Sequence, residues 1–262
     1  MDPNALNPRL RELARRFPEK FRPERVVFGN IHPGNRIFIG TGCGEPQHLV
    51  RSLIDHVAAH PKAFFDAELL QVWTLGVTPY SDEKFRDVFR PNSLFIGNNT
   101  RDAVNHGAAD YTPVLLSQVP SLFSRKLVPI DVALIQTSLP DEHGFMSLGI
   151  SVDIVKAAVE NASVVIAQVN AEMPRIHGDS FLNVKDVDFV LPHDEPLLEF
   201  TGNVPDEIAE RIGNYVARIV QDGDTIQVGY GRTPNATMRH LRGKKHLGVH
   251  TELLTDGIID LM

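Results

Sequence analysis

Val132-Ala133-Leu134-Ile135-Gln136 and Ser163-Val164-Val165-Ile166-Ala167-Gln168-Val169 flank the segment 152–162, in which Ile154, Val155, Ala158 and Val159 fall on one helical face. Two largely apolar runs of strand length, joined through an amphipathic helix, make a strand–helix–strand unit whose crossover is right-handed and parallel. Parallel strands need cover on both faces, so this unit predicts an α/β fold: an open, mostly parallel layered sheet with covering helices. The same alternation extends upstream. Residues 36–40 form a short β-rich run ending in glycine, and after Pro46 the stripe Leu49, Val50, Leu53, Ile54 and Val57 predicts a helix. Apolar runs at 68–74, 93–96 and 113–116 are expected to be further strands of the same sheet.

At the N-terminus, Leu10, Leu13, Ala14 and Phe17 repeat at helical spacing among interspersed Arg and Glu residues, which predicts a docked amphipathic helix and not a targeting signal. Downstream, 182–193 alternates apolar with charged residues, and Pro192, Pro196, Gly202 and Pro205 cluster behind it. A domain junction is expected there, dividing the chain into 1–202 and 203–262. The second part opens with a long helix presenting Ile208, Ala209, Ile212, Tyr215, Val216, Ile219 and Val220 on one face. A strand at 225–228, a glycine loop, a helix from Pro234 and a strand at 247–251 follow. Two strands and a helix cannot bury their own faces, so this tail is expected to be the opening of a second, similar domain or to pack on the first.

Composition narrows the function classes. The chain has 262 residues, enough for a sizeable core, with 42% hydrophobic and 23% charged residues. Its 33 acidic and 26 basic residues give a formal charge of −7, a field that disfavours nucleic acid. No run approaches the ~20 apolar residues of a membrane span. A single cysteine, Cys43, excludes an internal disulfide framework and fits a reducing cytoplasm. The 11 histidines are scattered without a supporting cysteine cluster, so neither a metal nor a tightly bound cofactor is expected.

Four constellations hold residues capable of chemistry. Gly42-Cys43-Gly44-Glu45-Pro46 joins a strand to a helix; such a turn either offers N–H groups to an anion or simply reverses the chain, and spacing alone favours the second. Ser138 to Phe145 gathers a hydroxyl, carboxylates and an imidazole, for which a polar turn is the default. Asn170 and Glu172 directly follow a buried strand, at the end where open α/β sheets bind ligands, and are candidate substrate-binding residues. Lastly, Gly229-Tyr230-Gly231-Arg232-Thr233 and Glu252 end two successive strands, pairing a glycine loop with a carboxylate. The loop lacks the third glycine and downstream acid of a dinucleotide fingerprint.

The run Gly229-Tyr230-Gly231-Arg232-Thr233-Pro234-Asn235-Ala236, followed by Lys244-Lys245-His246-Leu247-Gly248-Val249-His250-Thr251-Glu252-Leu253-Leu254-Thr255-Asp256-Gly257, resembles the acetyl-CoA hydrolase/transferase family, above all its 4-hydroxybutyrate and butyrate–acetate CoA-transferases. Pro140-Asp141-Glu142-His143-Gly144-Phe145-Met146-Ser147-Leu148-Gly149 and Val169-Asn170-Ala171-Glu172-Met173-Pro174-Arg175 are similar to the same pattern. The resemblance implies two related α/β halves with the active site between them, of which this chain corresponds to the amino-terminal part. It implies that CoA moves from a short-chain acyl-CoA to a small carboxylate through a glutamyl-CoA thioester on Glu252, with coenzyme A as substrate. Gly229, Tyr230, Gly231, Arg232 and Thr233 match the CoA-contacting loop, with Arg232 and Thr233 standing where the family commonly has small or apolar residues. An acyl-CoA hydrolase using the same glutamate, and a non-catalytic CoA-binding or assembly module, are the alternatives. The expected partners are the C-terminal half of the same enzyme and further copies in a homo-oligomer.

Overall fold

The computed structural model describes residues 6–63, 65–200 and 204–262. The chain falls into two compact units, Met1–Glu199 and Phe200–Met262. The boundary expected at 202/203, with Gly202, lies outside the described residues.

In the first unit, Asn7 caps helix α1 (Pro8–Arg16) by accepting the Arg9 N–H at 3.1 Å, and Leu10 and Leu13 are its buried residues. Then come α2 (Glu24–Phe28), β1 (Arg36–Ile39), α3 (Gln47–Ala59), β2 (Ala67–Gln71), β3 (Phe89–Ser93), α4 (Asn98–Asn105) and β4 (Asp110–Tyr111). The unit continues through α5 (Val119–Ser124), β5 (Ile130–Thr137), β6 (Phe145–Ser147), α6 (Val155–Asn161), β7 (Ala162–Val169), β8 (Phe181–Asn183) and β9 (Phe189–Pro192).

Seven strands form one sheet in the order β4-β3-β2-β1-β5-β7-β9, every pair parallel. Strands β6 and β8 form a separate antiparallel ribbon. Period-2 alternation divides the strands between two cores. Ile37, Ile39, Leu69, Val132, Leu134 and Ile166 face Leu49, Val50, Leu53 and Val57 of α3. Phe38, Leu70, Ala133, Ile135, Val165 and Ala167 face Leu10 and Leu13 of α1, Phe123 of α5 and Val155, Ala158 and Val159 of α6. Each fully buried Leu or Ile in these layers stabilises the fold by about 1.5–3 kcal/mol. Connections from β1 run outward through α3 to β2, whereas β5 lies on the other side of β1. The strand order therefore reverses between β1 and β5, and the crevice beyond their carboxyl ends is the topological switch point at which such sheets bind ligands.

Several expected elements shift. The run 113–116 is not a strand: Pro113 offers no N–H, a 3-10 turn at Leu116–Gln118 leads into α5, and the strand is Asp110–Tyr111. The strand expected at 93–96 lies upstream, at Phe89–Ser93; β4 pairs only with Asn92 and Ser93, leaving Pro91 on an open flank. Part of 182–193 belongs to the main sheet, as its edge strand β9.

The second unit contains α7 (Glu207–Ile219), β10 (Thr225–Ile226), α8 (Arg232–Leu241), β11 (Gly248–Val249) and α9 (Asp256–Ile259). Asp206 caps α7 by accepting the Ala209 N–H at 2.8 Å. The buried residues of α7 are Ala209, Gly213 and Ala217, not the large apolar ones, while Ile208, Ile212, Tyr215 and Ile219 are exposed. Close helix approach selects this small-residue seam: a Cβ on Gly213 would stand 2.9 Å from the backbone of Ala236 and Thr237 in α8. Helix α8 begins at Arg232, two residues before Pro234, and the strands are shorter than the runs 225–228 and 247–251.

Candidate active site

In the first unit the turn after β1 lies at the switch point and is held from three sides. Gly42, at φ +57°, donates its N–H to the Trp73 carbonyl at 2.7 Å, and Gly44 donates to Ser151 Oγ at 3.2 Å. Gln136 Nε2 reaches the carbonyls of Gly44 and Glu45 at 3.3 and 3.2 Å. A Cβ at Gly44 would meet that of Ser151 at 2.8 Å, so only glycine permits the loop ahead of α6 to lie this close. Of the two uses weighed for this turn, chain reversal fits the bonding of Gly42 and Gly44. The α3 N–H groups beyond it are also occupied: His48 donates to Glu195 Oε1 at 2.9 Å and Leu49 to Gln168 Oε1 at 3.3 Å.

Glu45 is buried, with 1% exposure. Its Oε2 accepts the N–H groups of Leu75 and Gly76 at 3.2 and 3.0 Å, and the neighbouring Gln47 Oε1 accepts that of Val77 at 2.9 Å. Glu45 Oε1 and Gln47 Nε2 are buried without completing a well-aligned hydrogen bond. Burial pushes the Glu45 carboxyl up to about 7, against weaker downward pulls from Gly76, the Gln47 amide and Leu75. Tyr80, buried beneath the same loop, is pushed up by burial and by Glu45, and its hydroxyl accepts from Gln71.

Asn170 is wholly buried and its amide is committed inside the protein. It donates to Gln136 Oε1 at 2.8 Å and the Glu195 carbonyl at 2.7 Å, and accepts the N–H groups of Glu172 and Glu195 at 3.0 and 3.3 Å. It fastens 195 to the end of β7 and offers no free face to a ligand, whereas Glu172 is exposed on the following turn. Gln168 completes the network, donating to Glu195 Oε1 at 2.8 Å. Burial raises the Glu195 carboxyl, but hydrogen bonds from Gln168, the His48 N–H and Arg51 together hold it below the usual range. Sequence reasoning assigned Gln136, Gln168 and Glu195 no role. The available signal was a glutamine interrupting each apolar run one residue before the strand end, and the two are partners in the β5–β7 register.

Ser138 to Phe145 forms a polar turn. Asp141 Oδ1 accepts the N–H groups of His143 and Phe145 at 2.9 and 2.8 Å, and its Oδ2 pairs with Arg175 at 2.8 Å. Burial pushes Asp141 up, but these hydrogen bonds and the charges of Arg175 and His143 bring it below its ordinary value.

In the second unit β10 and β11 are parallel, Thr225 opposite Gly248 and Ile226 opposite Val249, with α8 as the crossover. Beyond the strands Thr251 Oγ1 donates to the Val228 carbonyl at 2.9 Å and accepts the Val228 N–H at 3.2 Å. These bonds bring Gly229, which follows Val228, and Glu252, which follows Thr251, to one sheet edge. Glu252 is exposed there. Gly231, at φ +130°, is the N-cap of α8, a conformation that L side chains rarely adopt. Arg232 and Thr233 therefore belong to the first helical turn, where N–H groups face the same edge. Arg232 pairs with Asp206 at 2.9 Å, and the Tyr230 ring lies 5.0 Å from that of Phe200. The edge thus combines a carboxylate with backbone that a ligand can approach closely. Among the described residues no group of three or more His, Cys, Asp or Glu is placed to hold a metal ion.

A sequence model described as the acetyl-CoA hydrolase/transferase N-terminal domain matches residues 7–201. The chain is 39% identical over 246 residues to a 4-hydroxybutyrate coenzyme A transferase of Clostridium kluyveri, covering 94% of this chain and 56% of that protein. It is 38% identical over 248 residues to a succinyl-CoA:acetate/propanoyl-CoA:succinate CoA transferase of Fasciola hepatica, covering 94% and 51%. Among solved structures, RipA from Yersinia pestis superposes with a TM-score of 0.82 at 25% identity, over all of this chain and 60% of that one. A 4-hydroxybutyrate CoA-transferase from Porphyromonas gingivalis gives 0.74 at 29% identity, over 95% and 57%. The chain spans about half the length of the curated relatives it matches.

Proposed function

Because the chain belongs to the acetyl-CoA hydrolase/transferase family, we propose that the whole protein is a CoA-transferase, carrying CoA from a short-chain acyl-CoA to a small carboxylate through a thioester on Glu252. What supports this is the similarity of almost the entire chain to relatives named as CoA-transferases, whose names specify short acyl groups and carboxylates.

The Glu252 carboxylate attacks the acyl-CoA carbonyl, forming an acyl-glutamyl anhydride and expelling CoA thiolate. The thiolate attacks the glutamyl carbonyl, releasing the first carboxylate and leaving glutamyl-CoA. The incoming carboxylate attacks that thioester, again making an anhydride and thiolate. Attack of the thiolate on the new acyl carbonyl yields the product acyl-CoA and restores Glu252. No net proton transfer is needed, so a carboxylate suffices without a partner base. Carboxylates are weak nucleophiles, and binding of the long CoA chain supplies what the reacting atoms lack. Gly229 and Gly231 leave room for close approach of the thioester, and backbone N–H groups of the Gly229 to Thr233 segment are suited to the developing oxyanion. Water in place of the acceptor would make the same site an acyl-CoA hydrolase.

The remainder of the CoA site belongs, on this proposal, to a C-terminal half of the same enzyme, with assembly into a homo-oligomer and a cytoplasmic location. No helix among the described residues is long and apolar enough to cross a membrane. The test is to incubate the full-length protein with butyryl-CoA or acetyl-CoA, measure intact mass, and map the CoA-bearing peptide. A thioester on Glu252, discharged by acetate or butyrate into new acyl-CoA, is expected. Discharge by water alone would make it a hydrolase, and acyl-CoA binding without an adduct would make it a binding module.

A further inference from the structure

We propose that Glu45 is a positioning residue for a ligand site at the carboxyl edge of the first unit's sheet, tying the loop after β2 to the glycine turn after β1 that borders the switch point. The geometry is specific. One buried carboxylate oxygen accepts two successive N–H groups, from Leu75 and Gly76, and Gln47, two residues on, accepts the third, from Val77. Three consecutive backbone donors of one loop are thus satisfied by side chains at the start of α3. Leu75, Gly76 and Val77 follow β2, and Glu45 follows β1, so the clamp ties the end of β1, which borders the switch point, to the end of its neighbour β2.

Gly76 fits this clamp because a Cβ there would stand 1.9 Å from Gln47 Nε2. The turn is secured from below by Gln136 on the carbonyls of Gly44 and Glu45. Glu45 is 1% exposed, so it does not touch substrate and acts through the loop it holds. What the clamp requires is a hydrogen-bond acceptor and not a charge, which is consistent with a carboxyl raised toward neutral pH by burial.

The kinetic arm of the test rests on the proposed CoA-transfer function; the amide arm does not. In the full-length protein, Glu45→Gln keeps an oxygen for Leu75 and Gly76, and Glu45→Ala removes it. Amide exchange at Leu75 and Gly76 is expected to accelerate at least ~10-fold in Glu45→Ala and to stay within ~3-fold of wild type in Glu45→Gln. Over the same pair, KM for acyl-CoA or carboxylate is expected to rise ~10-fold in the alanine variant, with recovery in the glutamine variant. If Glu45→Ala fails to fold, Gln47→Ala, which frees only the Val77 N–H, should give the same exchange signature at that residue and a smaller KM rise. Unchanged exchange in the alanine variants, unchanged KM, or a glutamine variant as impaired as alanine would overturn the proposal. An inactive wild-type protein would instead count against CoA transfer, with the exchange measurements still deciding the role of Glu45.

Discussion

Thr251 and Val228 are joined twice: the threonine hydroxyl donates to the valine carbonyl at 2.9 Å and accepts its N–H at 3.2 Å. Strands β10 and β11 pair through only two residues each. The latch therefore does much of the work of keeping Glu252 beside the Gly229 loop. Thr251→Val, similar in shape but without the hydroxyl, is expected to destabilise the full-length enzyme by about 1–3 kcal/mol and to lower kcat for transfer more than tenfold. Urea denaturation and steady-state kinetics measure the two effects; a variant as active as wild type would show that the latch is dispensable.

Glu252→Gln removes the anion and keeps the volume. The full-length variant should fold and bind acyl-CoA, yet lose turnover by orders of magnitude and accumulate no CoA adduct in intact mass. Turnover near wild type, or an adduct on another residue, would restore an ordinary strand-end glutamate.

Glu45 gives stability a pH dependence of definite sign. Its folded value of about 7 lies above the 4.5 of the unfolded chain, so between these pH values the folded state holds the extra proton. Stability associated with this group is complete below 4.5 and is lost as pH rises through 7, by an amount on the order of 3 kcal/mol. In denaturant titrations at pH 5 and pH 8, Glu45→Gln should gain on wild type at the higher pH. An unchanged difference between the two proteins across that interval would contradict the assignment.

Gly213 supports the second unit through absence of a side chain. Gly213→Val would drive a branched group into the backbone of α8, 2.9 Å from the position of its Cβ, and should destabilise that unit by about 1–3 kcal/mol or more. Limited proteolysis and thermal melting of the full-length protein report it, and an unaltered melt would mean that α7 and α8 stand further apart.

The sheet was legible because periodicity is a local property: apolar runs at 132–136 and 163–169 with an amphipathic helix between them read as a strand–helix–strand unit. Strand order was not legible. Nothing in the sequence of β1 states that β5 will be its neighbour, and the switch point where Glu45 lies follows only from that pairing. Residue 45 reads as one member of a glycine turn, since its partners are backbone groups thirty residues away with no side-chain signature. In α7 the helical period is legible, but the residues of its seam with α8 are not, because that seam is set by how near two backbones can come, a quantity that favours Ala209, Gly213 and Ala217. Asn170 was noticed for its position after β7, but position did not distinguish a ligand contact from an internal brace.

The central place of β1 also fixes a timetable for synthesis. On the ribosome β1 emerges before β2, which can pair with it soon afterwards, but its other neighbour, β5, is translated only after β3 and β4, since Ile37 pairs with Val132. A half-sheet formed before then would present the open flank of β1 as an unpaired edge, the kind of surface that recruits chaperones or a second nascent chain. Slowing translation while β5 is still withheld inside the ribosome should prolong that exposure and lower the soluble yield, whereas slowing it once β9 has emerged should leave the yield unchanged.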